Sequence, residues 1–245
     1  MKTVKKINYF KNLLLRSNFN YYRMAMARPP YWIAANGKTC QVFAGNDLGS
    51  ATCYGEVIVQ DCYDIFKWSK DLNPSVIVDI GANVGMFSKL CSLLFPDADI
   101  YAYEPNPMAL SWLEQNAKMT NIKVFPYAVT DRTGVVMLDT KSDSTNGQIG
   151  AEGNLPVNCI SASEVASGRK IDLLKMDCEG SEWSIFQNTE LLKRTQNFCM
   201  EYHLFDKQTI QELQELIERS GHRIVRISPQ ENWQSTVGIL WSTQL

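Results

Sequence analysis

The run VIVDIGANVGMFS, Val76–Ser88, decides how this chain is read. Four of its first five residues are apolar, which makes a short buried strand at Val76–Ile80. The glycines then break the strand, and Val84–Phe95 has the make-up of a helix closed by Pro96. The same unit recurs downstream. Asp99–Tyr103 reads as a strand, Pro107–Thr120 as a helix with proline at its start, and Ile122–Tyr127 and Val135–Leu138 as further strands. Residues 139–158, rich in Ser, Asn, Gly and Asp, read as a long loop. Ile171–Met176 resumes the strands, Glu182–Leu192 is helical, and Phe198–Tyr202 is another strand. Asp206 is placed to N-cap a helix whose Ile210, Leu213, Leu216 and Ile217 share one face and which ends at Gly221. His222–Ile227 and Thr236–Trp241 follow one another without a helix, so one of them should run antiparallel. Alternation of strand and helix implies an α/β fold with a doubly wound, mostly parallel sheet.

Before this region the chain changes character. No Asp or Glu precedes Asp47, while eight of the 24 basic residues do, so 16 basic residues face 26 acidic ones in the remainder. A basic extension beside an acidic body follows, and the expected division is 1–72 and 73–245. Within the extension, Ile7, Phe10, Leu13, Leu14 and Tyr21 have helical spacing up to Pro29–Pro30, and residues 31–70 read as short strands and turns, YGEVIVQ among them. Residues 1–46 could pack on their own domain or touch anionic lipid or an acidic partner. The acidic body argues against a nucleic-acid partner. No apolar run reaches the roughly 18 residues that a membrane span needs, and Leu13–Leu15 is too short for the core of a signal peptide. The 7 cysteines form no Cys-x-x-Cys pair, so reduced thiols and a cytoplasmic location are expected, with peripheral membrane contact left open.

In an open α/β sheet, ligands bind beyond the carboxyl ends of the strands, where DIGANVG lies. Gly81 and Gly85 permit a sharp turn and a close backbone approach, and Asp79 puts a carboxylate at the strand end. A pyrophosphate would be opposed by that charge, and Gly81-x-x-x-Gly85 departs from the dinucleotide fingerprint. A cationic nucleoside such as S-adenosylmethionine is favoured instead. Glu104, in YAYEPNP, ends the second strand 19 residues after Gly85 and can accept hydrogen bonds from ribose hydroxyls, with Asn106 beside it. Ala82, Asn83, Phe87 and Pro105 border these two elements, and Tyr127 and Ala128 are placed to line an adenine.

A second cluster of charge occupies IDLLKMDCEGSEW. Lys175 and Asp177 lie two apart and share a face of a central strand. An unpaired Lys175 would cost several kcal/mol there, so a partner among Asp177, Glu182 or Glu201 is expected. Glu179 and Gly180 open the loop at the same sheet edge. His203, one of 2 histidines, ends the strand FCMEYH and is a candidate general base alongside Asp177. His222 reads as structural. A divalent metal held by Asp177 and Glu179 would lack further ligands of the usual kinds.

From Tyr54 to Leu204 the chain resembles the FkbM family of methyltransferases. The landmarks are VIVDIGANVGMFS, YEPNP, AVTDRTG, IDLLKMDCEGSEW and the EYH strand end, the string from Lys175 to Glu182 being the most specific. The resemblance implies a seven-stranded Rossmann-like methyltransferase sheet with an antiparallel C-terminal strand, and O-methylation of hydroxyls on sugars or natural products. It also implies that Asp79, Gly81, Asn83, Gly85 and Glu104 contact S-adenosylmethionine, with Asp177, Glu179 and His203 facing a small-molecule or glycan acceptor. N- or C-methylation, or cofactor binding without catalysis, are the alternatives. The identity of the acceptor and the oligomeric state are not legible.

Overall fold

The computed structural model describes residues 29–140, 148–149, 153–179, 181–187, 189–205, 208–228 and 236–245. The helical pattern expected before Pro29, as well as Gly180 and Asp206, lies outside them.

The chain enters through a hairpin, β1 (Tyr31–Ala35) and β2 (Lys38–Val42). Its two-residue turn, Asn36–Gly37, has positive φ at both positions (50° and 70°), the geometry that favours this dipeptide. Asn36 Nδ2 donates to the carbonyls of Leu93 and Leu94, tying the hairpin to the end of a later helix. Helix α1 (Leu48–Cys53), capped by Asp47, runs into a π-helical segment at Tyr54–Gln60, and α2 (Ile65–Trp68) follows. YGEVIVQ is therefore not a strand. Val57, Ile58 and Val59 are buried in succession, which suits a packed helical turn and not the alternation of a half-buried strand.

The nucleotide-fold units come next: β3 (Val76–Ile80), α3 (Met86–Leu94), β4 (Asp99–Tyr103), α4 (Pro107–Ala117) and β5 (Ile122–Phe125). Helix α4 stops at Ala117, short of the expected Thr120, because Met119 turns into the left-handed region. A smaller sheet follows, from β6 (Ala128–Thr130), β7 (Gly134–Asp139), β8 (Gln148–Ile149) and β9 (Leu155–Ser161). The expected loop 139–158 thus contains β8 and the start of β9; Leu155–Leu138 and Val157–Val136 pairing supplies the order its composition hides. A 3-10 segment at Ala162–Gly168 leads to β10 (Ile171–Met176). Glu182–Leu192 is two short helices, α5 (Glu182–Phe186) and α6 (Glu190–Lys193), before β11 (Thr195–His203). Helix α7 (Ile210–Arg219) is capped by Thr209, whose hydroxyl and Glu212 form a capping box, so the described cap is Thr209. Strands β12 (His222–Ser228) and β13 (Val237–Gln244) close the chain.

The main sheet has seven strands in the order β12-β13-β11-β10-β3-β4-β5. Strands β11, β10, β3, β4 and β5 are parallel, and β13 runs antiparallel to both β11 and β12. All five residues of β3 are buried, as expected for a strand covered on both faces. Ile77 points into one apolar cluster; Val76, Val78 and Ile80 point into the other. Tyr31, Ile33, Val42, Tyr54 and Ile58 share the first cluster with Leu90, Ile100 and Leu113, so residues 31–58 pack against the sheet and not beside it. No helix among the described residues is long and apolar enough to cross a membrane.

Candidate active site

The carboxyl ends of β3, β4, β10 and β11 and the covering segment after α1 bound a cavity of about 730 Å³, within the usual range for small-molecule sites. Its floor is set by the turn after β3. The amides of Gly81 and Ala82 both donate to Tyr103 O at 3.0 Å, and Gly81 (φ 72°), Asn83 (φ 52°) and Gly85 (φ 88°) all take left-handed conformations. A Cβ on Gly81 would stand 1.8 Å from Asp177 O, so this glycine lets β10 close against the turn. A Cβ on Gly85 would meet Leu113, and Gly85 does not line the cavity. The close approaches that these two glycines permit are thus to the protein's own chain.

Glu104 leaves β4 into the cavity wall with both oxygens held. Oε2 accepts from Asn83 N (2.7 Å) and Oε1 from Asn106 N (2.8 Å). A carboxylate has about four acceptor sites, so the two amides orient it and leave capacity for a ligand's hydroxyls. Burial pushes its pKa up to about 7, against the pull of those two amides. Asn106 Oδ1 caps α4 through Met108 N, while its buried Nδ2 has no hydrogen-bond partner among the described residues. An oriented acceptor beside an unpartnered donor is what a ribose edge requires.

Asp79 stands one layer behind the wall. It is fully buried, accepts from Ser88 Oγ at 2.6 Å and lies 3.3 Å from Lys175 Nζ. It does not put its carboxylate at the mouth of the cavity, because α3 and Lys175 cover it. Lys175 also donates to Gly81 O (2.6 Å) and lies 3.5 Å from Asp177, which in turn accepts from Tyr63 OH at 2.9 Å. Burial acts to lower the pKa of Lys175, but Asp79 and Asp177 outweigh it and hold the ammonium charged. Its partners are therefore Asp79 and Asp177, and it makes no ion pair or hydrogen bond with Glu182 or Glu201.

At the far end, His203 is nearly buried between two acids, with Nε2 3.4 Å from Glu179 and Nδ1 3.6 Å from Glu182. His203 Nδ1 is buried without a hydrogen-bond partner among the described residues, so the two acids act on the ring through their charge. Burial lowers the His203 pKa, but Glu182, Glu179 and Glu201 raise it by more. This environment makes His203 a cationic donor and disfavours it as a base at neutral pH. Burial, then the neighbouring Asp177, push Glu179 up to about 7, and the same two causes in the same order raise Glu201 and Glu56.

Of the residues singled out in the sequence, Gly81, Ala82, Asn83, Phe87, Glu104, Pro105, Asn106, Tyr127, Ala128, Lys175, Asp177, Glu179 and His203 all line this cavity; Asp79 and Gly85 support it from behind. His222 sits elsewhere, buried with Nε2 2.9 Å from Leu192 O. Tyr63, Glu56 and Trp241 join the wall without having been expected. They come from the covering segment and from β13, and neither has a spacing that announces a site. Glu201 was read only as a partner for Lys175, although EYH placed it two residues before His203.

A seven-stranded sheet with this strand order and a cavity at its carboxyl edge defines a Rossmann-like methyltransferase fold. The model of the methyltransferase FkbM domain matches residues 79–224, and the chain belongs to that family. Among its relatives is the hexuronic acid methyltransferase AglP of Haloferax volcanii, 28% identical over 132 residues, or 51% of this chain and 54% of that protein. Another is the 31-O-demethyl-FK506 methyltransferase FkbM of Streptomyces tacrolimicus, 33% identical over 95 residues, or 38% and 36%. This chain thus spans about half of the first relative's length and about a third of the second's. Among solved structures, magnesium protoporphyrin IX methyltransferase from Synechocystis PCC 6803 with bound SAH superposes with a TM-score of 0.53 at 10% identity, over 83% of this chain and 90% of that one. The fibrillarin pre-rRNA processing protein of Methanococcus jannaschii gives 0.51 at 12% identity, over 94% and 87%. At these identities the two structures share the fold alone.

Proposed function

We propose that this chain is an S-adenosylmethionine-dependent O-methyltransferase whose acceptor is a hydroxyl of a sugar, glycan or natural-product-like small molecule. The observation that carries the reading is the presence, in one cavity, of the Glu104–Asn106 corner and the Asp177–His203 end. Glu104 and Asn106 Nδ2 would hold the ribose hydroxyls, and Tyr127 and Ala128 would flank the adenine. Gly81, Ala82 and Asn83, with Phe87 and Pro105, would wall the remainder of the cofactor. S-adenosylmethionine supplies a methyl group on a sulfonium, which is already a good leaving group. Lys175 balances one of the two carboxylates beside it, so Asp79, Lys175 and Asp177 together keep one negative charge, which favours a cation at Asp177. Tyr63 and Lys175 fix the rotamer of Asp177, and so position much of the reaction before it starts. Glu179 and His203 would face the acceptor. One relative's name refers to the oxygen at position 31 of FK506, which supports oxygen as the receiving atom, and another's to a hexuronic acid, which supports a sugar-like acceptor.

Calorimetry with S-adenosylmethionine, followed by a methyl-transfer screen of glycans and hydroxylated metabolites, tests the reading. Saturable binding with transfer to a hydroxyl supports it. A protein that takes up no S-adenosylmethionine would remove it.

A further inference from the structure

A hydroxyl becomes a competent nucleophile only when something takes its proton, and the described groups at the acceptor end differ in their freedom to do so. His203 has a carboxylate at each nitrogen. Asp177 receives Tyr63 OH and faces Lys175. Glu179 faces His203, and Glu182 accepts from Cys178 N and lies against the other side of the same ring. Glu201 lines the cavity, its carboxylate with no hydrogen bond or ion pair to the described residues, at the end of β11 next to the strand that delivers Asp177. On the neighbouring β13, Trp241 is 2% exposed and its Nε1 has no partner among the described residues. Residues Cys199 and Trp241 pair across the ladder, as do Glu201 and Ile239, so Glu201 and Trp241 project from the same face. An unused acceptor and an unused donor on one face match the two needs of a hydroxyl.

We propose that Glu201 is the general base of the reaction, taking the proton of the acceptor hydroxyl directly. This rests on the O-methyltransferase reading above. As the acceptor oxygen bonds to the methyl carbon, its proton passes to the Glu201 carboxylate. The carbon–sulfur bond breaks with its electron pair kept by sulfur, leaving a neutral thioether, a methyl ether and a protonated Glu201 that returns its proton to water. The surroundings suit the task. Burial and then the charge of Asp177 raise the Glu201 carboxyl, which makes it a stronger base than an ordinary glutamate. The groups facing it are Asp177 and Glu179 beyond β10, His203 on its own strand, and Glu56, Cys62 and Tyr63 from the covering segment. Arg226 of β12 lines the same cavity but is paired with Asp64.

The test compares wild type, Glu201→Gln, Glu201→Asp and His203→Gln on an acceptor found by the screen. Glu201→Gln should lower kcat by roughly a hundredfold or more, the usual worth of a general base, with S-adenosylmethionine affinity within about twofold. Glu201→Asp should recover part of the rate. With S-adenosylmethionine saturating, kcat/KM for the acceptor should rise with pH in wild type and His203→Gln along a limb lying above the ordinary carboxylate range; in Glu201→Gln that limb should vanish. The proposal is overturned if Glu201→Gln keeps kcat within about threefold, or if the limb survives there and disappears from His203→Gln. A wild-type protein that methylates no hydroxyl would instead remove the reading beneath it.

Discussion

Glu104 accepts one backbone amide at each oxygen, so its position is set before any ligand arrives. Glu104→Gln replaces one acceptor oxygen with a donor, and should weaken S-adenosylmethionine binding by roughly tenfold or more, measured by calorimetry. The pH dependence follows from the sign of the shift. Ribose hydroxyls donate to the ionised carboxylate, so affinity should rise as pH passes upward through about 7, and that rise should be missing from Glu104→Gln. The same shift acts on stability. A carboxyl raised from 4.5 to about 7 holds its proton longer in the folded than in the unfolded chain, so folding stability falls as pH rises across that window. Thermal scans without cofactor should show the fall, and a shallower one in Glu104→Gln. Lys175 presents the opposite case: it is buried with its charge satisfied by Asp79, Asp177 and Gly81 O. Lys175→Ala strands Asp79 in the core and should cost roughly 3–5 kcal/mol in denaturant unfolding. An unchanged midpoint would refute the pairing as a stabilising contact.

At the scale of elements, the turn after β3 and the end of β10 are one device, because Gly81 lies where a side chain would strike Asp177 O. Gly81→Ala combines that clash with a left-handed backbone, so it should destabilise by at least roughly 1–3 kcal/mol and weaken cofactor binding along with it. Full retention of both in parallel unfolding and binding measurements would contradict the coupling. Strands β3, β4 and β10 were legible to the residue because burial on both faces demands mostly apolar runs, broken here only by Asp79, Asp99, Asp172 and Lys175. The segment YGEVIVQ was not. Its residues have strand propensity, and only packing against the first core cluster makes it a π-helical turn. The second sheet was missed in part for a related reason: Leu155–Ser161 pairs with a strand some twenty residues earlier, and local composition does not encode a partner at that distance. The position of Glu104 at the end of β4 was readable from spacing, whereas the covering of Asp79 by Ser88 and Lys175 was not. Tyr63, Glu56 and Trp241 were not, since they reach the cavity only through tertiary packing.

For the whole molecule, the strand order places β13 antiparallel between β11 and β12, and gathers the carboxyl ends of β3, β4, β10 and β11 at one edge. That edge carries the Glu104–Asn106 corner and the Asp177–His203 end in a single cavity, and the segment after α1 covers them. A binding protein would need only the first of these; a methyltransferase needs both. The most direct measurement is transfer of isotope-labelled methyl from S-adenosylmethionine to a panel of hydroxylated acceptors, with the product's methylated atom determined. The account predicts label on an acceptor oxygen for the wild type and loss of at least about a hundredfold in rate for Asp177→Asn, with S-adenosylmethionine binding weakened as well. Label on nitrogen or carbon, or undiminished transfer by Asp177→Asn, would contradict it.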